Sequence, residues 1–558
     1  MTPAPPQAVR DLIVRRLAGS FAASFLLAVA LVFQASAAPL TSAVVDEPAH
    51  LTAGYLALAG GDLRVNKEHP PLMKELAALP LLFMNPALPA RKPGGPEPGT
   101  EDFEFEYSRR FLYQANDAGR FLRAARTPVM ILTLLLGAFV YIWGRTLAGA
   151  GPALIALAFY VLEPNILGHG RLVTTDLGAA AFSVATLWTL RLVSRRGSTT
   201  AAIACGFFLG CALLTKFSTL LLLPIGGLLL LLDRAFLPRP APGDRGAVPP
   251  PAIGRLLNLA GVVLFTAWVI LLAGYRFSGF PLPGLYVEGL QLARLKNATV
   301  EGPSYLMGRI APGGFWSYYL IALLVKTPLP LLALAASGLA ASLGGKERRR
   351  EALWVFLPAA GWILSMTLLT RAQIGFRYIL PVTPLLCLGA GLGAKALLDR
   401  AKGRGRRALA AAGLAILLVW QAAGTIRVHP YHLAYFNEIA GGPAGGWRWL
   451  VDSNLDWGQD LIGLERWLAR AGNPEVNLYY FGTADPDRTT IRRRPYGAPA
   501  PGLYAVSATH LAGVYLPDPD YLGAFREMEP VARVGYSIFV YRTDDVPARL
   551  LEPAGKIR

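Results

Sequence analysis

Long runs of apolar residues alternate with short polar segments along most of this chain. A run of about 20 apolar residues is long enough to cross the hydrocarbon core of a membrane as a helix. The pattern predicts about eleven such helices, near residues 17–38, 127–147, 151–168, 174–193, 200–215, 217–232, 256–275, 315–340, 351–370, 376–398 and 407–427. The sequence therefore predicts an all-α polytopic membrane protein. The first run is too long for a signal-peptide core, so we expect a retained helix.

Composition and charge agree with this interpretation. The 558 residues are 53% hydrophobic and 16% charged, whereas soluble proteins have about 25% charged residues. The net charge is +18, but Lys and Arg cluster in short loops between apolar runs, as in cytoplasmic loops of membrane proteins. The charge therefore does not indicate a nucleic-acid partner. All three cysteines lie in apolar runs, which predicts neither a disulfide framework nor a zinc site.

The basic loops also orient the chain in the membrane. When successive loops are assigned to alternate sides, every clearly basic short loop falls on one side, which is therefore cytoplasmic. A first loop (39–126), a later segment (276–314) and the C-terminal tail then lie on the extracytoplasmic side. Within the first loop, residues 47–60 and 70–84 are expected to form amphipathic helices at the membrane surface, and the Pro- and Gly-rich residues 91–100 a loop.

The tail differs from the rest of the chain because it has few long apolar runs. We expect a helix at 458–471 and strands at 476–481, 503–506 and 536–541. The sequence thus predicts a transmembrane domain over residues 1–427 and a small extracytoplasmic α/β domain over residues 428–558. No repeat of helix pairs is evident, which disfavours a transporter built from inverted repeats.

Charged residues gather at the predicted extracytoplasmic ends of the helices. Asp46 and Glu47 follow the first apolar run, and the others lie in the same loop or in turns between helices: Lys67, His69, His169, Arg171, Asp176, Lys216 and Arg377. Positive charges on this side oppose the usual bias and need a local partner. Cations at headgroup depth can hold a phosphate leaving group, and a carboxylate can take the proton of an attacking hydroxyl. The set is suited to transfer from a lipid phosphate.

Each of these residues also has a plainer explanation. A Lys or Arg at a helix end can extend to the headgroups, Asp176 and the Asp46-Glu47 pair could cap helices, and His69 could belong to a turn before two prolines. A transporter or flippase of a lipid-linked anion is an alternative, but it would need charges near the bilayer centre and paired broken helices. A third alternative is a scaffold that only binds a lipid carrier, but it would give the charged residues no function.

Several stretches resemble family 39 glycosyltransferases: Asp46-Glu47, Lys67-Glu68-His69-Pro70-Pro71-Leu72, and His169-Gly170-Arg171-Leu172-Val173-Thr174-Thr175-Asp176, with further similarity at 213–218, 375–381 and 452–460. These C-type membrane glycosyltransferases include protein O-mannosyltransferases and the aminoarabinose transferase of lipid A. The resemblance implies an inverting transferase that moves a sugar from a polyprenyl-phosphate carrier to a lipid, glycan or protein acceptor. It implies no cofactor and no obligatory metal.

The resemblance also implies roles for individual residues. Asp46 would act as base or orient the acceptor, and Asp176 would lie beside the acceptor. Glu47 could replace Asp46, because neighbours on a helix point about 100° apart and only one can face the substrate. Topology predicts the ligands of the carrier phosphate: Lys67, His69, Arg171, Lys216 and Arg377. Contacts with acceptor or sugar are expected from His169, Tyr378, Asp452, Asn454, Asp456 and Trp457.

The acidic residues between Asp452 and Asp460 resemble a calcium loop, but the register fails. Gly458 comes one position late, and Gly463 stands where the bidentate Glu should be, so no metal is predicted. Trp457 has a composition around it suited to sugar contact, although tail tryptophans could equally anchor the tail at the membrane interface. The high Ala, Gly, Arg and Pro content suggests a bacterial source, and we expect a location in the inner membrane.

Overall fold

The structure is a computed structural model that describes residues 6–91, 95–235, 251–299, 303–495 and 498–551. It is mostly helical. The helices are α1 (Pro6–Ala37), α2 (Glu47–Gly60), α3 (Leu72–Ala78), α4 (Glu101–Arg109), α5 (Ala118–Ala148), α6 (Ala150–Val161), α7 (Pro164–His169), α8 (Asp176–Arg196), α9 (Thr199–Leu213), α10 (Leu222–Ala235), α11 (Ile253–Gly274), α12 (Gly284–Thr299), α13 (Tyr318–Lys326), α14 (Leu329–Ser342), α15 (Lys346–Leu369), α16 (Val382–Arg400), α17 (Arg404–Val428), α18 (Gly442–Gly445), α19 (Leu461–Arg470) and α20 (Ala508–Leu511).

All eleven predicted spans are helical, but they differ in length. Within the described residues, eight helical segments are long and apolar enough to cross a membrane: α1, α5, α8, α10 together with the 3-10 turn Phe217–Leu221 before it, α11, α15, α16 and α17. The pair α13 and α14 is bent by 112°, and α6 and α9 are shorter apolar helices. The chain is therefore a multi-pass membrane protein, and its described residues contain eight candidate spans, or nine if the bent pair counts as one. The predicted eleven is reached only if α6 and α9 also cross.

The sequence predicts longer helices at two of these places, because the prolines that break the helices lie within apolar runs. Glu163 accepts a hydrogen bond from the amide of Ile166 and caps α7, and Pro164 occupies the first turn. The chain between α13 and α14 contains Pro328. Proline disfavours the helical conformation in the residue before it, so α6 and α13 end early.

The first long loop (39–126) contains the predicted helix α2, with the predicted bounds. Residues 70–84 contain α3 and a 3-10 turn at Leu79–Phe83. The first half of α2, from Glu47 to Gly54, is buried within the protein, so only its second half is open to a membrane surface. Helix α4 was not predicted; Thr100 Oγ1 accepts the amide of Phe103 and caps it. Residues 91 and 95–100 lack helix and strand as predicted, and 92–94 lie outside the described residues.

The tail contains the predicted helix α19 and a four-stranded sheet, which confirms a small sheet region there. Its strands are β3 (Val476–Tyr479), β4 (Gly502–Ser507), β5 (Ala532–Val534) and β6 (Ile538–Thr543), in the order β3-β4-β6-β5. Only β3 and β4 are parallel. Strand β5 was missed because three residues are too few for an alternating pattern. The same holds for the hairpin of β1 (Ser304–Leu306) and β2 (Arg309–Ala311). The division at residue 427 stays a prediction.

Helices α14 and α16 pack closely through glycines. A Cβ atom at Gly338 would lie 2.2 Å from the carbonyl oxygen of Gly389, and one at Gly393 would lie 2.2 Å from that of Leu334. Small residues allow the two backbones to approach in this way. The 3-10 turn Phe376–Ile379 lies just before α16.

Candidate active site

Two carboxylates and two cations meet where α8 begins. Asp46 precedes α2, Asp176 is the first residue of α8, Lys216 lies between α9 and α10, and Arg377 lies in the turn before α16. Lys216 Nζ is 2.5 Å from Asp176 Oδ1. Arg377 Nη1 is 2.6 Å from Asp46 Oδ2 and 3.7 Å from Asp176 Oδ2. These four residues, the carboxylate–cation cluster, were all predicted as site residues, and the fold brings them together from four separate parts of the chain.

Asp46 is the most accessible member of the carboxylate–cation cluster. Its side chain is 20% exposed, compared with 12% for Lys216, 8% for Arg377 and 1% for Asp176. The ring of Tyr378 lies beside both cations, 4.5 Å from Lys216 Nζ and 5.6 Å from the Arg377 guanidinium. A molecule that approaches the cluster therefore reaches Asp46 first, whereas Asp176 is shielded behind the two cations.

Segments of the tail hold two of the four residues in place. The amide of Val45, next to Asp46, donates to the carbonyl of Trp457 at 3.0 Å, and the amide of Ser42 donates to that of Gln459 at 2.8 Å. The amide of Phe376, next to Arg377, donates to Asn454 Oδ1 at 2.8 Å. The tail thus contacts both partners of the Asp46–Arg377 ion pair through the residues that precede them.

The two cations differ in how firmly they keep their charge. Burial lowers the pKa of Arg377, but the facing carboxylates of Asp46 and Asp176 more than offset this, so its pKa is raised. For Lys216, burial has the largest influence and outweighs Asp176, so its pKa is lowered from the ordinary value of 10.5. Arg377 is therefore the permanent cation of the site, and Lys216 is the one that loses its proton first at alkaline pH.

Glu47, the neighbour of Asp46, points away from the carboxylate–cation cluster. Its oxygens accept from Arg126 Nε at 2.8 Å and Arg126 Nη2 at 2.6 Å, and from the amides of Val44 and Val173 at 3.0 Å each. The side chain is fully buried. These contacts fix the loop around Asp46 and give no support to a catalytic role for Glu47. Only one of the two neighbours faces the site, as helix geometry predicts.

Two buried histidines, His50 and His169, and the half-buried His69 surround the carboxylate–cation cluster. The rings of His50 and His69 lie 4.9 Å apart, and His50 Nδ1 is 3.0 Å from the carbonyl oxygen of Val173. Burial, and then the charges of His50 and Lys216, hold the pKa of His69 well below 6.5. Burial lowers the pKa of His169 to about 3. Both are neutral at pH 7. His50 was not predicted as a site residue, although its spacing of four from Asp46 places it on the same helix face.

Two predicted phosphate ligands lie elsewhere. Lys67 Nζ is 3.2 Å from Glu288, at the surface. Arg171 is buried and donates to the carbonyl of Pro430 at 3.1 Å; burial first, and then Arg126, lower its pKa to about 9. Among the described residues, no hydrogen bond or ion pair joins either side chain to the carboxylate–cation cluster. The structure therefore leaves Lys216 and Arg377, with His69 beside them, as the predicted phosphate ligands that converge.

The predicted acceptor contacts in the tail are buried and bond to the protein itself. Burial raises the pKa of Asp452 to about 6 and that of Asp456 to about 8. Within the described parts of the chain, no group of three or more His, Cys, Asp or Glu side chains could hold a metal ion. The acidic side chains accept from tail groups: Asp452 from Tyr515 Oη at 2.6 Å, Asp456 from the amide of Thr509 at 2.9 Å, and Asp460 from Ser537 Oγ at 2.7 Å.

Trp457 is also unavailable as the predicted sugar contact, because it is only 2% exposed. Its ring lies 4.3 Å from the Arg377 guanidinium, and 6.2 Å from the ring of His169. The side chain therefore contacts the carboxylate–cation cluster from inside the protein. Tyr378 is the predicted sugar contact that remains partly open at the cluster.

Comparison with known proteins agrees with this architecture. Residues 118–242 match the family model of dolichyl-phosphate-mannose-protein mannosyltransferases. The crystal structure of ArnT from Cupriavidus metallidurans bound to undecaprenyl phosphate matches over 95% of this chain and 99% of that chain, with 15% identity and a TM-score of 0.50. The chain has the ArnT fold. The predicted resemblance to C-type membrane glycosyltransferases is thereby confirmed for the fold.

Two further structures superpose less closely, with TM-scores below 0.50. Apo ArnT from the same organism matches over 95% of this chain and 98% of that chain, with 16% identity and a TM-score of 0.48. The Archaeoglobus fulgidus oligosaccharyltransferase tethered to an acceptor peptide matches over 73% of this chain and 55% of that chain, with 13% identity and a TM-score of 0.42. No curated protein matches the sequence. The ArnT fold therefore rests on the first structure.

Proposed function

We propose that this protein is an inverting glycosyltransferase that moves a sugar from a polyprenyl-phosphate carrier to an acceptor hydroxyl or phosphate on the extracytoplasmic side of the membrane. The main support is the carboxylate–cation cluster, in which the accessible Asp46 lies beside two cations. The donor class is supported by the undecaprenyl phosphate bound to ArnT and by the family model matched at residues 118–242. A lipid, glycan or protein would be the acceptor.

The proposed reaction is a single displacement at the anomeric carbon. An acceptor hydroxyl oxygen attacks this carbon, and the bond from the carbon to the carrier phosphate breaks, which inverts the configuration. Asp46 takes the hydroxyl proton, because it is the carboxylate that an acceptor can reach. The carrier leaves as polyprenyl phosphate with one more negative charge, and Arg377 and Lys216 stabilise that charge as it develops.

The ion pair between Asp46 and Arg377 links donor binding to proton transfer. Arg377 Nη1 is 2.6 Å from Asp46 Oδ2. A carrier phosphate that bonds to Arg377 would compete with this carboxylate and leave it free to accept a proton. Asp176, 1% exposed and within reach of both cations, would keep Lys216 and Arg377 in position.

The alternative, a transporter or flippase, gains no support from the helix break. Such transporters place broken helices in paired positions around a site at the midplane. In the described part of the chain there is one bent pair, α13 and α14. The buried Lys326 at the bend donates to the carbonyls of Leu433 and Asn454, which belong to the tail. This charge therefore lies at the tail end of the bundle.

The proposed location is the bacterial inner membrane, with the active site and the tail on the extracytoplasmic side. Helix α8 supports this orientation, since Asp176 begins it at the carboxylate–cation cluster, and Arg195 and Arg196 end it. Basic residues at the far end are typical of the cytoplasmic face. Membrane lipids and a lipid-linked donor would be the partners of the transmembrane part.

The test is release of polyprenyl phosphate from radiolabelled polyprenyl-phosphate sugars in proteoliposomes, with lipid, glycan and protein pools as acceptors. Asp46→Asn is expected to lower the rate about 1,000-fold, because the general base is lost. Asp62→Asn is the matched control: Asp62 lies in the same loop but pairs with Arg64 at the surface, and its rate should stay at the wild-type level. Wild-type protein that releases no polyprenyl phosphate with any pool, or an Asp46→Asn variant with the wild-type rate, would contradict the proposal.

A further inference from the structure

We infer that Trp457 is a positioning residue for Arg377, so that the extracytoplasmic tail completes the site for the carrier phosphate. This inference rests on the proposed function. It starts from the contact between the two side chains: the Arg377 guanidinium lies 4.3 Å from the centre of the Trp457 ring. Guanidinium groups stack on aromatic faces, and a planar guanidinium held in one orientation can offer two parallel N–H bonds to a phosphate.

Hydrogen bonds alone do not fix the plane of the Arg377 guanidinium. Its Nη1 donates to Asp46, but its Nε is buried and has no hydrogen-bond partner among the described residues. The aromatic surfaces therefore matter more here than at an arginine with a full set of partners. Trp457 lies closer than Tyr378, at 4.3 Å compared with 5.6 Å. Since Trp457 is 2% exposed, surrounding protein keeps its ring in one place.

The backbone of Trp457 holds the other partner of the ion pair. Its carbonyl accepts the amide of Val45, next to Asp46, at 3.0 Å. Its own amide donates to Gln459 Oε1 at 2.8 Å. One residue of the tail thus contacts Arg377 through its ring and the residue before Asp46 through its carbonyl. The distance between Asp46 and Arg377 therefore depends on Trp457 through both its carbonyl and its ring.

The loop that carries Trp457 is itself tied to the helix bundle. Asn454 Oδ1 accepts the amide of Phe376, directly before Arg377, at 2.8 Å. The carbonyl of Asn454 accepts from the buried Lys326 Nζ at 2.6 Å. Ser453 Oγ donates to the carbonyl of Ile374 at 2.7 Å. The tail loop and the Arg377 turn therefore form one unit, and a phosphate at Arg377 would meet a guanidinium already oriented.

The experiment is a double-mutant cycle on the full-length protein in lipid nanodiscs, with binding of undecaprenyl phosphate as the readout. Trp457→Ala is expected to weaken binding about tenfold, within the range of a cation–π contact. Trp457→Phe should restore most of the affinity, because it keeps an aromatic face. In an Arg377→Ala background, Trp457→Ala should cause no further loss, since the ring acts through the guanidinium.

A matched control exists in the same tail. Trp447 also lies against a guanidinium, that of Arg448 at 5.2 Å, but within the described residues no hydrogen bond, ion pair or ring contact joins either residue to the carboxylate–cation cluster. Trp447→Ala should therefore bind undecaprenyl phosphate like the wild type. Thermal unfolding of each variant shows whether a loss of binding reflects a loss of folded protein, and Trp457→Phe supplies the comparison if Trp457→Ala does not fold.

The outcomes separate this inference from the proposed function. If wild-type protein binds no undecaprenyl phosphate, the proposed function fails, and the inference fails with it. If the wild type binds and Trp457→Ala loses the same factor in the Arg377→Ala background as alone, Trp457 acts on the fold and the inference alone is wrong. Unchanged binding by folded Trp457→Ala would also overturn it. A loss that vanishes in the Arg377→Ala background supports it.

Discussion

Helix α8 has a buried charged cluster at each end, and the two clusters differ in one respect that bears on function. At its start, Asp176 belongs to the carboxylate–cation cluster. Near its end, Ser194 donates to Asp233, which also pairs with Arg350. The helix has 21 residues, so the two clusters are about 30 Å apart at 1.5 Å per residue. Both contain carboxylates and cations from several parts of the chain.

Asp233, the carboxylate at the centre of the far cluster, is saturated with hydrogen bonds. Asp233 is fully buried, and each of its oxygens accepts two hydrogen bonds: Oδ1 from Arg350 Nε at 2.7 Å and Trp354 Nε1 at 3.0 Å, and Oδ2 from Ser194 Oγ at 2.6 Å and Arg350 Nη2 at 3.0 Å. No acceptor capacity remains for a ligand. A buried carboxylate with this set of partners ties three helices together.

The carboxylate–cation cluster, by contrast, is incomplete, because its buried polar groups are not saturated with hydrogen bonds. In the described part of the chain, Asp176 Oδ2 accepts no hydrogen bond and Arg377 Nε donates none, and Asp46 is 20% exposed. Buried polar groups normally find partners, so unsatisfied groups next to an accessible carboxylate indicate a site that binds something. The comparison teaches that the saturation and exposure of the carboxylates, rather than residue type, separate the proposed active site from a structural network.

The largest expected effect comes from the arginine of each cluster. Arg377→Ala should lower kcat/KM for polyprenyl phosphate release about 1,000-fold, because the permanent cation facing the leaving group is lost. Arg350→Ala should instead lower the free energy of unfolding by about 3 kcal/mol, since it removes the nearest counter-charge of the buried Asp233, with little change in activity per folded molecule. Activity assays and thermal unfolding on both variants check this. If Arg377→Ala mainly lost stability and Arg350→Ala mainly lost activity, the roles of the two clusters would be reversed.

Glu47 offers a sharper comparison, because it adjoins Asp46 yet resembles Asp233 in its saturation. Glu47→Gln should lower the free energy of unfolding by about 3 kcal/mol, since it leaves the buried Arg126 without its counter-charge. The folded fraction should keep most of its polyprenyl phosphate release. The release is measured in membranes and divided by the amount of folded protein, which is calibrated by heat treatment. A stable Glu47→Gln variant without activity would show that Glu47 takes part in the chemistry.

The smallest effect is a shift in pH dependence at Lys216. Because burial lowers the pKa of Lys216, the active protonated form is present below that pKa and is lost as pH rises through it. Arginine has an ordinary pKa about 2 units higher than lysine, so Lys216→Arg should move the alkaline limb of kcat/KM to higher pH by about 1 unit. The neutral-pH rate should fall a few-fold, since the ammonium group of lysine and the guanidinium group of arginine differ in shape. An alkaline limb that does not move would assign it to another group.

Most members of the carboxylate–cation cluster could be predicted because they lie at helix ends, and helix ends follow from apolar runs. Asp176, Lys216 and Arg377 were placed on one side by topology alone. Lys67 and Arg171 also lie in loops on that side, but loop side chains take the nearest partner. Glu288 and the Pro430 carbonyl are partners that no local pattern predicts.

The contribution of the tail could not be predicted for the same reason. Trp457 is 80 positions from Arg377 in the sequence, and only the folded tail places its ring against the guanidinium. The tail helix and three strands followed from periodicity, whereas the contact of the tail with residues 42–45 depends on backbone amides and carbonyls. Every residue has these groups, so they leave no trace in the pattern of side chains.

The central claim is that the incomplete cluster at the start of α8 does the chemistry, and one crossed measurement tests it most directly. Polyprenyl phosphate release and thermal unfolding are measured in parallel for Asp46→Asn and Asp233→Asn. The account predicts that Asp46→Asn loses about 1,000-fold in release with an unchanged unfolding temperature. It predicts that Asp233→Asn unfolds at lower temperature and keeps its release per folded molecule. A folded Asp46→Asn variant that releases polyprenyl phosphate at the wild-type rate would contradict the claim.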